Sequence, residues 1–503
     1  MVGRMGSARR TLSVDGMLLD EGFPRETLPA VATDSMDLEV QLTPSEGGMR
    51  LESAGTLSFT VQRGPLSGFV LVAPRGAERL FIEGVESTRM TDRHIWVRLT
   101  SPVPVGETVT LNLTWSNAYA VDGASVSTFP ANGVQLTDWL PAVWPRTGRR
   151  TFQGQLTVRR PRSWFVNVSV AGETRQTTAA DGAAIVLDSV IRAPQVPVLT
   201  LGPWKERVAS EPPMVRGFAT PAKADSLWAF AQLVDERAPV FAQMAGPWPC
   251  EEVDFVPLGA EDNFTWHTVG CVITTRPTRI DGTTMAALDN SHGGSFLAWA
   301  LTHEIAHLYW GVWVNTSLLA DRWWLEALAE YGACQMVAEE KGDETCSSAL
   351  DARHHDEQTP WPSERGADSA VRRYHGGLWV MEYVRARIGT PAMNAALRDF
   401  TEAHRHGVAT AKDLREALER SGGVPLAAAF GALANSGQRP TVRLEQDRKL
   451  GLCAVTVQPG MGRLDVPVQV GQTMQWVTTT DGQGQLPCTQ RARLDPDGVL
   501  PRQ

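Results

Sequence analysis

Two histidines four residues apart bracket a glutamate in the run Leu301-Thr302-His303-Glu304-Ile305-Ala306-His307. On a helix, positions i and i+4 share a face, so both imidazoles can reach one tetrahedral ion. Glu304 directly follows the first of them, where its carboxylate can take a proton from an attacking water as a general base. After the 18 residues 308–325 comes Glu326, within Asp321-Arg-Trp-Trp-Leu-Glu326-Ala-Leu-Ala-Glu330-Tyr331. Two helices joined through residues 311–319 would set Glu326 beside the histidines. Two neutral imidazoles and one carboxylate leave a zinc ion net positive with a coordination position for water, as catalysis needs. One Zn2+ ion held by His303, His307 and Glu326 is therefore the expected cofactor. The plainer readings are a helix with two unrelated histidines and a Glu326 on a solvated face. Glu330, one turn on, is the rival ligand, or else a carboxylate supporting a ligand from behind.

The elements that would position these residues can be read from periodicity. Residues 296–310, 323–340, 378–388 and 392–403 are helical in pattern, and Leu227, Phe230, Leu233 and Val234 mark an earlier helix ending at Gly246-Pro247-Trp248-Pro249. Residues 253–258 and 269–275 have the character of strands. From about 38 to 204, short runs such as Leu57-Ser-Phe-Thr-Val61 and Thr108-Val-Thr-Leu-Asn-Leu113 alternate with the turn pairs Asp122-Gly123 and Asn132-Gly133, which predicts an all-β sheet or sandwich. Strand signals return past Pro440. The expected organisation is an N-terminal extension over 1–37, a β domain over 38–215, an α+β catalytic domain over 216–436 and a short β domain over 437–503.

Composition narrows the function classes. The chain has 503 residues, 43% hydrophobic and 20% charged, ordinary for a chain that buries several cores. Its formal net charge of −9 offers no attraction to phosphate backbones or anionic lipid, so neither nucleic acid nor a membrane is an expected partner. Residues 1–22 carry Arg4, Arg9 and Arg10 without a long apolar run, and a standard export signal is not expected. Six cysteines stand without any Cys-x-x-Cys spacing, which predicts free thiols in a reducing cytoplasm; a Cys453–Cys488 bridge stays open.

With His303-Glu304-x-x-His307, 18 residues and Glu326, the chain resembles the aminopeptidase N family of gluzincin metallopeptidases. Gly246-Pro-Trp-Pro249 with Val253-Asp-Phe-Val-Pro257 is similar to the start of that family's catalytic sheet. Gly270-Cys-Val-Ile-Thr-Thr275 is similar to the edge strand along its substrate cleft, and Trp139-Leu-Pro-Ala-Val-Trp-Pro145 to the close of its N-terminal β domain. The resemblance implies a saddle-like β domain, a thermolysin-like zinc catalytic domain and a short C-terminal β domain, without the large helical domain of many members. It also implies a tyrosine that donates to the oxyanion, and Tyr374 in Tyr374-His375-Gly376-Gly377 falls at that position, while Tyr383 would pack with Leu378 and Met381.

Two departures bear on substrate. Where the family carries a glutamate for the substrate ammonium, Phe264-Thr-Trp266-His267-Thr-Val-Gly270 places His267, and the family's assisting glutamine has no counterpart near Pro130. Losing an anionic partner forfeits a charge-assisted hydrogen bond of about 1.5–3 kcal/mol, which argues against strict aminopeptidase specificity. Trp266, His267 and Gly270 are the candidate substrate-binding residues; His267 would recognise a carboxylate or carbonyl, or else be a locally satisfied loop histidine. Trp248, Trp310, Trp323 and Trp324 would pack, with one or two lining an apolar pocket. The expected activity is zinc-dependent hydrolysis of a peptide or small amide, the alternatives being a specialised small-molecule amidase or an inactive zinc-binding scaffold.

Overall fold

The structure is a computed structural model that describes residues 31–45, 48–62, 64–72, 77–91, 94–120, 128–129, 133–136, 142–144, 152–159, 165–169, 172–178, 184–191, 198–202, 205–208, 214–219, 224–250, 252–257, 267–269, 271–275, 292–316, 323–341, 377–435, 441–458 and 463–495. Its contacts divide the chain into two compact units, the first built from residues 1–130, 134–166 and 173–192 and the second mainly from 193–503. Mixed sheets and helices are both present: among the described residues, strands run up to Ala219, helices and strands are interspersed from Ala224, and strands return from Val442.

In the first unit, Val31–Ser45 lies between Gly48–Val61, antiparallel, and Phe152–Arg159, parallel, inside a seven-stranded sheet. A second, four-stranded antiparallel sheet contains Leu66–Val72 and His94–Val103. Period-two alternation sends Leu38, Val40, Leu57 and Phe59 into the core, and Phe59 meets Phe69 of the other sheet edge-on at 4.8 Å, so the two sheets pack face to face.

The second unit holds the histidine motif. Its sheet contains β1 (Met214–Ala219), β2 (Glu252–Pro257), β3 (His267–Val269) and β4 (Val272–Thr275), with β1, β2 and β4 parallel and β3 antiparallel at the edge. The single strand expected over 269–275 is thus a hairpin. The edge strand is His267–Val269, one strand further out than the resemblance implied, because the chain reverses before Val272 and adds a strand. Arg216 and Asp254, paired in register on β1 and β2, form a 2.8 Å ion pair with Asp254 buried, which keeps a charged carboxylate satisfied within the sheet.

Among its described residues the unit also has helices α1 (Ala224–Ala245), α2 (His292–Tyr309), α3 (Trp323–Lys341), α4 (Gly377–Ile388), α5 (Thr390–Ala403) and α6 (Ala411–Gly422). α6 has a full capping box between Thr410 and Asp413 and a left-handed Gly423 at its end, a local signature that fixes both helix ends. Between α2 and α3 a two-residue strand, β5 (Val314–Asn315), pairs in parallel with β6 (Gly407–Val408) after α5. The C-terminal strands share the core of the helices. Tyr383 of α4 donates its hydroxyl to the Asp465 carbonyl at 2.8 Å, and Arg387 pairs with the Asp465 carboxylate and lies over the Trp476 ring. Tyr383 is buried, as its apolar face predicts, but its phenol is spent on this contact.

The cysteines correct the free-thiol expectation. Cys250 bonds Cys271, Cys453 bonds Cys488, Cys334 is also disulfide-bonded, and no described cysteine is free. Cys250 and Cys271 lie 21 residues apart in sequence, and only the pairing of β2 with β4 brings them to a Cα separation of 6.0 Å. Among the described residues no helix is long and apolar enough to cross a membrane.

Candidate metal centre

α2 is buried on nearly all sides: Leu301, Ile305, Ala306 and Leu308 have no exposed surface, and His303 and Glu304 are 6% exposed each. A helix surrounded in this way presents its polar residues to protein rather than water, so they must find partners there. α3 lies against it, and Gly332 lets the two approach. A Cβ at Gly332 would stand 3.2 Å from the Ala306 methyl of α2 and 2.8 Å from the Phe241 ring of α1.

This packing brings together three donor atoms from residues distant in sequence. His303 Nε2 and His307 Nε2 are 3.0 Å apart, Glu326 Oε2 is 3.2 Å from His307 Nε2, and it is 3.4 Å from His303 Nε2. Two ligand atoms bound at about 2.05 Å to a tetrahedral ion are about 3.3 Å apart, so the triangle has the size that a small divalent cation requires.

The far sides of both imidazoles face acceptors. His307 Nδ1 is 3.0 Å from the Trp310 carbonyl, at a helix end turned by Gly311 with φ of 149°. His303 Nδ1 is 3.4 Å from Glu330 Oε1, whose other oxygen accepts the Trp299 indole N–H at 2.9 Å. With hydrogen on each Nδ1, both Nε2 lone pairs turn toward the Glu326 carboxylate, and only a shared cation or proton relieves three acceptors so close together. Basicities follow. Burial opposes charge on His303, but Glu326 and Glu330 outweigh it and push its pKa up to about 10. For His307, burial likewise opposes charge and is overcome chiefly by Glu326, for a net rise. Burial would raise Glu326, yet the two histidines hold it below the usual carboxylate range. The group His303, His307 and Glu326 could hold a metal ion.

Glu304 points its carboxylate toward the sheet edge. The Thr268 hydroxyl of β3 lies 2.8 Å from Glu304 Oε2 and 2.8 Å from the Glu304 main-chain carbonyl.

Of the residues expected from sequence, His303, His307, Glu326 and Glu304 come together here. Glu330 stands behind His303 rather than in the donor triangle. His267 occupies the position before Thr268 on the edge strand. Tyr374, Trp266 and Gly270 lie outside the described residues. Trp310, Trp323 and Trp324 are buried in the hydrophobic core, and Trp310 donates to Thr401. Two partners escaped the sequence reading. Trp299 had a signal, since 299, 303 and 307 recur at four-residue spacing on one helix face. Thr268 had none, being 36 residues from its partner.

Comparison of the sequence with protein-family models and with curated proteins returned no match.

Proposed function

We propose that the protein is a zinc-dependent amide hydrolase of the aminopeptidase N-like gluzincin type, acting on a peptide or small amide through a thermolysin-like catalytic domain. The observation that carries this reading is the triangle of His303 Nε2, His307 Nε2 and Glu326 Oε2, with sides of 3.0, 3.2 and 3.4 Å, next to a buried Glu304 that is not part of it. A zinc ion held by these three residues would supply Lewis acidity to a water and to a substrate carbonyl.

Glu304 takes the proton of the attacking water on its carboxylate and returns it to the nitrogen of the departing amine. Its burial keeps that carboxylate away from bulk water, where competing protons would be exchanged. His303 and His307 stay in fixed orientation because Glu330 and the Trp310 carbonyl engage their outer nitrogens. Tyr374, by the family resemblance, donates a hydrogen bond to the developing oxyanion.

With His267 in place of the ammonium-binding glutamate, the proposed substrates are N-blocked peptides, internal peptide bonds or small amides as readily as free N-termini. The bonded cysteines favour maturation in an oxidising compartment over the reducing cytoplasm.

Zinc content and hydrolysis of a panel of free and N-acylated peptides test the reading. One ion per chain, cleavage by wild type, and loss of cleavage with retained zinc in Glu304→Gln are expected. Full activity in Glu304→Gln would refute the general base, and zinc binding without cleavage of any substrate would favour a non-catalytic metal site.

A further inference from the structure

We propose that Thr268 is the positioning residue for Glu304, holding its carboxylate in one orientation through the hydrogen bond to Oε2. The inference rests on the hydrolase reading and adds to it the partner of the base.

The geometry is specific. Thr268 Oγ1 is 2.8 Å from two acceptors of the same residue, Glu304 Oε2 and the Glu304 main-chain oxygen. A hydroxyl has one proton to donate and lone pairs to accept with. When Glu304 is a carboxylate, the Thr268 hydroxyl donates to Oε2. When Glu304 holds the proton taken from water, it holds it on Oε1, the oxygen that Thr268 does not engage, so Oε2 still accepts from the same hydroxyl, as does the Glu304 main-chain carbonyl. That carbonyl sits inside α2 and has a second lone pair beyond the one its helix hydrogen bond uses. Each protonation state therefore finds a complete hydrogen-bond set with the side chain in the same place. The travelling proton passes from water to Glu304 Oε1 to the leaving nitrogen, while the Thr268 proton stays on its own hydroxyl.

Other elements keep the hydroxyl there. Thr268 is the middle residue of β3, paired with Ile273 of β4, and Cys271 between these strands is bonded to Cys250 just before β2. Ile273, Cys271 and Cys250 are buried, so the hairpin is anchored from behind.

The test uses zinc-loaded full-length protein with Thr268→Val, which removes the hydroxyl at nearly constant shape, and Thr268→Ser, which keeps it. Three quantities are read: kcat and KM on the best peptide of the panel, zinc affinity by chelator competition, and the Glu304 carboxylate position in crystals. Thr268→Val should lower kcat about 10–100-fold, with KM and zinc affinity within about twofold of wild type. Thr268→Ser should recover kcat to within about threefold. In Thr268→Val crystals the Glu304 carboxylate should move by about 1 Å or more, a displacement large enough to account for the rate loss. A carboxylate that stays in place, or an unchanged kcat, overturns the proposal, as does a loss that Ser fails to rescue. If wild type binds zinc but cleaves nothing, the hydrolase reading falls alone, and the crystal comparison still decides whether Thr268 positions Glu304.

Discussion

The indole of Trp299 donates to Glu330 at 2.9 Å, and the other oxygen of that carboxylate faces His303 Nδ1 at 3.4 Å, one helical turn along α2 from the tryptophan. Trp299 and Glu330 are both buried, so neither hydrogen-bonding group has water as a substitute.

Removing either partner should therefore weaken metal binding without touching a ligand. Trp299→Phe and Glu330→Gln are expected to lower zinc affinity about 10–100-fold while leaving the secondary structure intact. Chelator competition alongside circular dichroism checks this. Wild-type affinity in both variants would mean that the histidine holds its orientation without them.

Metal-free protein should compete with zinc by means of a proton. His303 has its pKa raised from 6.5 to about 10, so below about pH 10 the folded apo site retains a proton that the unfolded chain loses from pH 6.5 upward. The stabilisation is fully present below pH 6.5 and disappears as pH rises through about 10. Zinc must displace that proton, and its apparent affinity should climb with pH from neutral toward about 10. Calorimetry in buffers of different ionisation enthalpy should show proton release at pH 7.5. A binding enthalpy independent of buffer would contradict it.

Gly332 should be intolerant of any side chain. Its Cβ would meet the Phe241 ring at 2.8 Å and the Ala306 methyl at 3.2 Å, whereas a Cβ at Gly431 meets nothing within 4 Å. Gly332→Ala is expected to destabilise the protein by roughly 1–3 kcal/mol and to weaken zinc binding by parting α2 from α3. Gly431→Ala serves as the control. Scanning calorimetry and zinc titration of both variants distinguish a local clash from a general intolerance of alanine.

Replacing Cys250 and Cys271 together by serine should lower the unfolding temperature, since the bridge closes a 21-residue segment and loops of that order are worth roughly 3 kcal/mol. Reducing agent also opens the other bridges, so it should lower the unfolding temperature of both proteins, and by more in wild type than in the double variant. Because the bridge anchors the β3–β4 hairpin, amide exchange at Thr268 should quicken. Unchanged exchange there would show that packing alone secures the hairpin.

Much of the local structure was readable from residue order. α2, α3, α4 and α5 start and stop within a few residues of their apolar runs, because α2, α3 and α4 are long apolar stretches without an internal proline and α5 buries one face. The Thr410–Asp413 capping box and Gly423 were equally available, and α6 was overlooked although its caps are local. The hairpin of β3 and β4 was read as one strand, since its reversal leaves little mark in a run already rich in Val and Ile.

Sequence by itself determined that His303 and His307 share a face and that Glu304 adjoins them, because helical geometry depends only on neighbours along the chain. Tertiary structure decided the rest: that Glu326, not Glu330, completes the donor triangle, that Thr268 reaches Glu304, that the tryptophans are core, and that Cys250 finds Cys271. Each of these depends on how closely one element approaches another. That approach is set by the volumes of side chains such as those around Gly332, which no spacing along the chain encodes.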